Sequence, residues 1–160
     1  MPRKPPRSKD LSVTGARSSA LRALSRREHS AAELQQKLRQ RGFAGDTAAE
    51  AVAAMAEAGW QSDERYAEML VRNRVQQGYG PQRITHELES GGLKKAEIAA
   101  ALATVEDDWS ALCAALHQRR FGAIPTAAAD WQKQYRFLAS RGFTAAQIRS
   151  ALKGLPEALE

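Results

Sequence analysis

The chain has 160 residues, enough for one ordinary domain or an array of small units, and 43% of them are apolar, too many for a disordered chain. The formal net charge of +6 points towards a polyanionic partner such as nucleic acid or a nucleoprotein, although many soluble proteins carry a modest positive charge. Cys113 is the only cysteine, which excludes an intramolecular disulfide and a zinc ligand cluster, and no apolar run approaches the ~20 residues of a membrane span.

Residues 1–17 hold Pro2, Pro5 and Pro6, with Arg3, Lys4, Arg7, Lys9 and Arg17 against the single acid Asp10. With no helical period, they are expected to be a disordered basic tail. They carry the basic character of a signal peptide's start but not its apolar core, so a cytoplasmic protein is expected. From about Ser18 the chain is rich in alanine, leucine, glutamine, glutamate and arginine, which predicts helix after helix and no strand. Capping boxes, in which a hydroxyl and a side chain three residues on satisfy two free amides, are expected at Ser30/Glu33, Thr47/Glu50 and Thr144/Gln147. Gly42, Gly59, Gly92 and Gly142 suit helix C-termini, and Pro81 suits a first turn after Tyr79-Gly80.

An internal repeat organises these elements. Leu38, Leu88 and Leu138 are spaced 50 apart, and so are Gly42, Gly92 and Gly142. The same step relates Phe43, Leu93 and Phe143, then Val52, Leu102 and Leu152, and, one helix earlier, Leu21, Val71 and Phe121. Each unit therefore predicts a helix, a second helix ending in Leu-x-x-x-Gly-(Phe/Leu), a short turn and a third helix. The glycine takes the left-handed conformation and the next apolar residue folds back, as at a helix-turn-helix corner. The fold class expected is all-α: three tandem three-helix repeats at 18–60, 61–108 and 109–153, in an elongated, curved array, with 154–160 as a C-terminal tail. Units this small hold little core of their own, so neighbours are expected to stack.

No enzymatic constellation stands out. His29, His86 and His117 fall in different units, and there is no phosphate-binding glycine loop or nucleophile elbow. Asp63, Glu64 and Glu68 share a helix and are the only conceivable metal or nuclease site; their simpler role is to favour that helix's N-terminus after Ser62. Neither a cofactor nor a metal is expected. Asp107 and Asp108 are expected at the start of the next helix. Basic residues are the better candidates for binding: Arg26, Arg27, Lys37 and Arg41 in the first unit, Arg65, Arg72, Arg74 and Arg83 around the Tyr79-Gly80-Pro81 turn, and Lys133, Arg136 and Arg141 in the third, where Arg119, Arg120 and Arg149 add to the charge. Net charge is +4 over 1–17, +1 over 18–60, −3 over 61–109 and +4 over 110–160, so a simple DNA clamp along the whole length is not expected. Trp60 and Trp109 fall where units join and are expected to anchor cores between them, whereas Tyr79 is a candidate partner contact.

Several stretches resemble the RecX family of bacterial recombinase regulators. Leu24-Ser25-Arg26-Arg27-Glu28-His29-Ser30, followed by Glu33-Leu34, Lys37-Leu38 and Arg41-Gly42-Phe43, resembles its opening motif. Gly59-Trp60, Asp63, Arg65-Tyr66-Ala67-Glu68, Arg72-x-Arg74 and Gly78-Tyr79-Gly80-Pro81-x-Arg83-Ile84-x-x-Glu87-Leu88 resemble its middle. Arg136-Phe137-Leu138-x-x-Arg141-Gly142-Phe143 resembles its close. Gln61-Ser62 departs from the pattern, where an apolar residue and an aspartate are usual, and this puts the cap of the fourth helix in question. The resemblance implies a non-enzymatic regulator. It would bind RecA-type recombinase filaments on single-stranded DNA and hinder filament growth, ATP hydrolysis, strand exchange and coprotease activity. From the residues themselves, a monomer is expected, with exchange of the similar repeat units between chains as the route to a dimer; the small charge of the body and its negative middle predict weak binding to bare single- and double-stranded DNA, and the lack of a long apolar run predicts no membrane engagement. A free-standing helix-turn-helix DNA-binding protein is the alternative.

Overall fold

The computed structural model describes residues 10–153. Among them lie nine α-helices and no strand: α1 (Val13–Arg26), α2 (Ala31–Gln40), α3 (Gly45–Glu57), α4 (Asp63–Gln76), α5 (Pro81–Ser90), α6 (Lys95–Leu102), α7 (Trp109–Phe121), α8 (Ala128–Ser140) and α9 (Ala145–Ala151). They divide into two compact units inside α4, between Tyr66 and Ala67.

In the first unit α1 packs chiefly on α3. Ala16, Ala20 and Ala23 recur every three to four residues, so they form one buried stripe, and their small size allows close approach. Leu34 and Leu38 of α2, Phe43, and Ala48, Ala51, Val52 and Met55 of α3 complete that core. In the second unit Ile84 and Leu88 of α5 are buried, as are Leu93 and Ile98. The last three helices close around Cys113, Leu116, Trp131, Leu138, Phe143, Ile148 and Leu152. Burial pushes the Cys113 thiol up to about 11.

The repeated glycine turns form as the spacing predicts. Gly42, Gly92 and Gly142 have φ of 98°, 85° and 96°. After each, the amide of Phe43, Leu93 or Phe143 donates to the carbonyl of Leu38, Leu88 or Leu138, at 3.2, 3.1 and 3.3 Å. The glycine amide bonds three residues back, to Arg39, Glu89 or Ala139. This is a Schellman closure made three times. Gly59 and Gly78 close α3 and α4 in the same way.

Several expectations need correction. Residues 13–17 are not disordered: α1 begins at Val13, because Ser12 caps it by accepting from the Gly15 amide at 3.3 Å. Residues 1–9 of the expected tail and the segment 154–160 lie outside the described residues. Thr47 is not a cap. The chain enters α3 directly after Phe43, with Ala44 at the N-cap and Thr47 inside the first turn. The step relating Leu21, Val71 and Phe121 does not carry equal burial: Val71 is buried and Phe121 half-buried, but Leu21 is 43% exposed because the α1 stripe runs through alanines instead. Trp60 does not anchor a core, being 59% exposed, whereas Trp109 packs against the third-repeat core.

Candidate functional site

In the first unit most of the candidate basic residues, Arg27, Lys37, Arg41 and Arg65, are tied down. Arg27, at the end of α1, donates to the Glu28 carbonyl at 2.9 Å and forms a two-pronged ion pair with Glu33. Burial of Glu33 opposes its ionisation, yet the hydrogen-bonded Arg27 guanidinium holds the carboxyl below its usual range. Arg65 pairs with Glu28 at 3.0 Å and reaches the Gly59 carbonyl at 2.7 Å, so it braces the first unit rather than joining the Tyr79 turn. Arg41 donates to Ser19 at 2.8 Å. Arg26 is exposed and unpaired among the described residues.

His29 is 1% exposed. Its Nε2 lies 3.1 Å from Lys37 Nζ, a donor, so Nε2 accepts; Nδ1 carries the proton and donates to the Arg27 carbonyl at 3.0 Å. Burial holds its pKa below the usual histidine value, reinforced by the Arg27 and Lys37 charges and opposed by the Arg27 hydrogen bond and Glu33. An unfolded histidine titrates near ~6.5, so on acidification the unfolded chain takes up the proton first. The stability contribution is therefore complete above that value and is lost as pH falls towards the depressed folded one. The urea midpoint is expected to drop between about pH 7.5 and about pH 5.5, and His29→Gln is expected to flatten that drop. Parallel curves for the two proteins would remove His29 as the cause.

Gln61-Ser62, the departure from the RecX pattern, is absorbed. Ser62 Oγ accepts from the Arg65 amide at 3.2 Å and so caps α4. The buried Gln61 amide donates to the His29 carbonyl at 3.2 Å and to Asp63 Oδ1 at 2.9 Å. The same Asp63 oxygen accepts from the Ala31 amide at 2.8 Å, so Asp63 serves the start of α2 as well as its own helix. Among the described residues no three His, Cys, Asp or Glu side chains gather as metal ligands.

In the second unit two glycine turns meet backbone to backbone. The Gly80 amide donates to the Arg141 carbonyl at 2.8 Å, and the Gln82 amide to that of Gly142 at 2.9 Å. Amides at the start of α5, one from its N-cap Gly80, thereby satisfy carbonyls of the turn that follows α8. This contact brings Tyr79, Arg83 and Arg141 together: the Arg83 guanidinium lies 4.1 Å from the centre of the Tyr79 ring, and that of Arg141 lies 5.0 Å from it. Arg74 is 2.7 Å from Glu87 and thus braces α4 against α5. Arg72 stands apart from the turn. It is exposed and unpaired among the described residues, and lines a cleft of about 560 Å³ with Val71, Val75 and Val105 and the acids Glu68, Glu106 and Asp107. Lys133 and Arg136 are exposed on α8. Charge alone flagged Arg120, but the ring it meets, Phe137, is on the next helix and left no local signal in the sequence.

The three repeats match known domains in order. RecX, first three-helix domain, matches residues 16–54; the second matches 62–102 and the third 106–152. The Regulatory protein RecX of Stenotrophomonas maltophilia is 46% identical over 139 residues, covering 86% of this chain and 85% of that protein. That of Halorhodospira halophila is 42% identical over 142 residues, 88% of each. The crystal structure of RecX from Lactobacillus salivarius superposes with a TM-score of 0.73 at 21% identity, covering 88% of this chain and 94% of that one, and so shows the same fold. Three matched domains in sequence, with this identity over most of both chains, place the protein in the RecX family of regulatory proteins.

Proposed function

We propose that this chain binds RecA-type recombinase filaments on single-stranded DNA and restrains their growth, thereby damping ATP hydrolysis, strand exchange and coprotease activity. The observation that carries the reading is membership of a regulatory family through all three repeats, in order. Basic groups on both units support it: Arg26 in the first, and Arg72, Tyr79, Arg83, Lys133, Arg136 and Arg141 in the second. A filament offers protein and DNA together, so several modest contacts add through avidity. Bare DNA offers less to a chain whose middle stretch is net negative.

Arg72 is the residue of choice for a test, because Arg74 is committed to Glu87 and its reversal would disturb the fold. Arg72→Glu is expected to raise the concentration needed for half-inhibition of recombinase ATPase by about tenfold, with helix content unchanged. Binding to recombinase-coated single strands is expected to exceed binding to bare strands. A recombinase ATPase left unchanged at several-fold molar excess, together with tight binding to bare duplex, would replace this reading with that of a free-standing DNA-binding protein.

A further inference from the structure

Beyond the paired turns, the second unit carries an unbroken alternation of cations and rings. Arg83 lies over Tyr79, with the centres 4.1 Å apart. Arg141 approaches both Tyr79, at 5.0 Å, and Phe137, at 5.2 Å. Arg120 approaches Phe137 at 5.2 Å, and Phe121 meets the same ring edge-on at 5.4 Å. Three guanidiniums are thus separated by two rings, drawn from the α4–α5 turn, α5, α7 and α8.

A guanidinium resting on a ring keeps its N–H edge free while losing rotamer freedom in advance, so it is preorganised to receive an anionic oxygen. Among the described residues one carboxylate, Glu87, makes an ion pair with the series, and a loose one. Glu87 is 3.9 Å from Arg83 but is already held by Arg74 at 2.7 Å. Asp130, the one acid of α7–α9, stands in the first turn of α8, at the opposite end from Arg141. Arg83 and Arg120 are exposed, and Tyr79, Phe137 and Arg141 are half-buried.

We infer that this ladder is a cradle for the sugar-phosphate backbone of single-stranded nucleic acid. A series of cations suits a chain of repeated anions better than one small anion, and the rings between them serve to hold the guanidiniums in place. The contact is with phosphates, so it is independent of base sequence. The inference deepens the filament reading and rests on it for its biological setting, but strand binding is measurable without a recombinase.

The experiment is a salt titration of the full chain with fluorescent oligothymidylate, followed by anisotropy, with recombinase ATPase inhibition measured in parallel. Each phosphate contact on a single strand contributes about 0.7 to the slope of log affinity against log salt. Substituting Arg83→Gln, Arg120→Gln and Arg141→Gln together is expected to lower that slope by about 2 and the affinity at low salt by at least about tenfold. Phe137→Leu, which leaves charge unchanged, is expected to weaken binding several-fold because Arg120 and Arg141 lose their platform. Arg120→Gln alone, with an unchanged melting curve, guards against a triple variant that fails to fold. A control triple, Arg22→Gln, Arg39→Gln and Arg149→Gln, is expected to change the slope little, and an equal loss there would overturn the cradle. Competition by polyglutamate as effective as that by unlabelled oligothymidylate would overturn it in favour of an acidic protein segment. Filament inhibition without any strand binding by the unaltered chain would sink the ladder and spare the filament reading. Ladder-dependent strand binding without inhibition would do the reverse.

Discussion

Gly142→Ala is expected to destabilise the second unit by about 2–5 kcal/mol. Gly142 has φ of +96°, where a side chain costs ~1–2 kcal/mol by itself. An added Cβ would also stand 2.5 Å from Arg83 Cβ and 2.7 Å from the Arg83 backbone nitrogen. Those atoms belong to the start of α5 and cannot swing aside. Relief requires the two turns to part, which strains or breaks the bonds from the Gly80 and Gln82 amides, at ~0.5–1.5 kcal/mol each. Gly59 is the internal control: its φ is +79°, but nothing lies within 4 Å of an added Cβ, so Gly59→Ala carries only the conformational cost of ~1–2 kcal/mol. Urea denaturation of both variants decides the matter, and equal losses would show that the paired turns do not resist separation.

Leu38→Ala, Leu88→Ala and Leu138→Ala are each expected to cost ~2–5 kcal/mol, through lost apolar burial and the cavity left behind. All three leucines are 0% exposed. Each also supplies the carbonyl that closes its glycine turn, so the side chain that fills the core belongs to the residue that orients the next helix. Leu21→Ala, on an exposed face of α1, is expected to cost well under ~1 kcal/mol. A loss below ~1 kcal/mol at any of the three repeat leucines would remove it from the core.

The sequence by itself determined the helical class, the three-fold repeat, the glycine turns and the family. The glycine turns are local: a left-handed residue next to a helix end favours glycine, and its closure spans only five residues. The Thr144/Gln147 capping box was legible for the same reason, and both of its bonds form, at 2.9 and 3.2 Å. Thr47 carries the same letters yet caps nothing, because the preceding turn delivers the chain into α3 at Ala44. Only the tertiary structure decided which faces are buried and which charges are free. Leu21 and Trp60 are apolar but face outward, since the phase of each helix is set by what it packs against. Asp63 finds the Ala31 amide 32 residues away, and Arg74 is spent on Glu87 while Arg72 stays unpaired among the described residues. The ladder is the clearest case: Tyr79, Arg83 and Arg141 meet because two glycine turns approach too closely for any side chain to lie between them, and Arg120 joins Phe137 through the packing of α7 on α8.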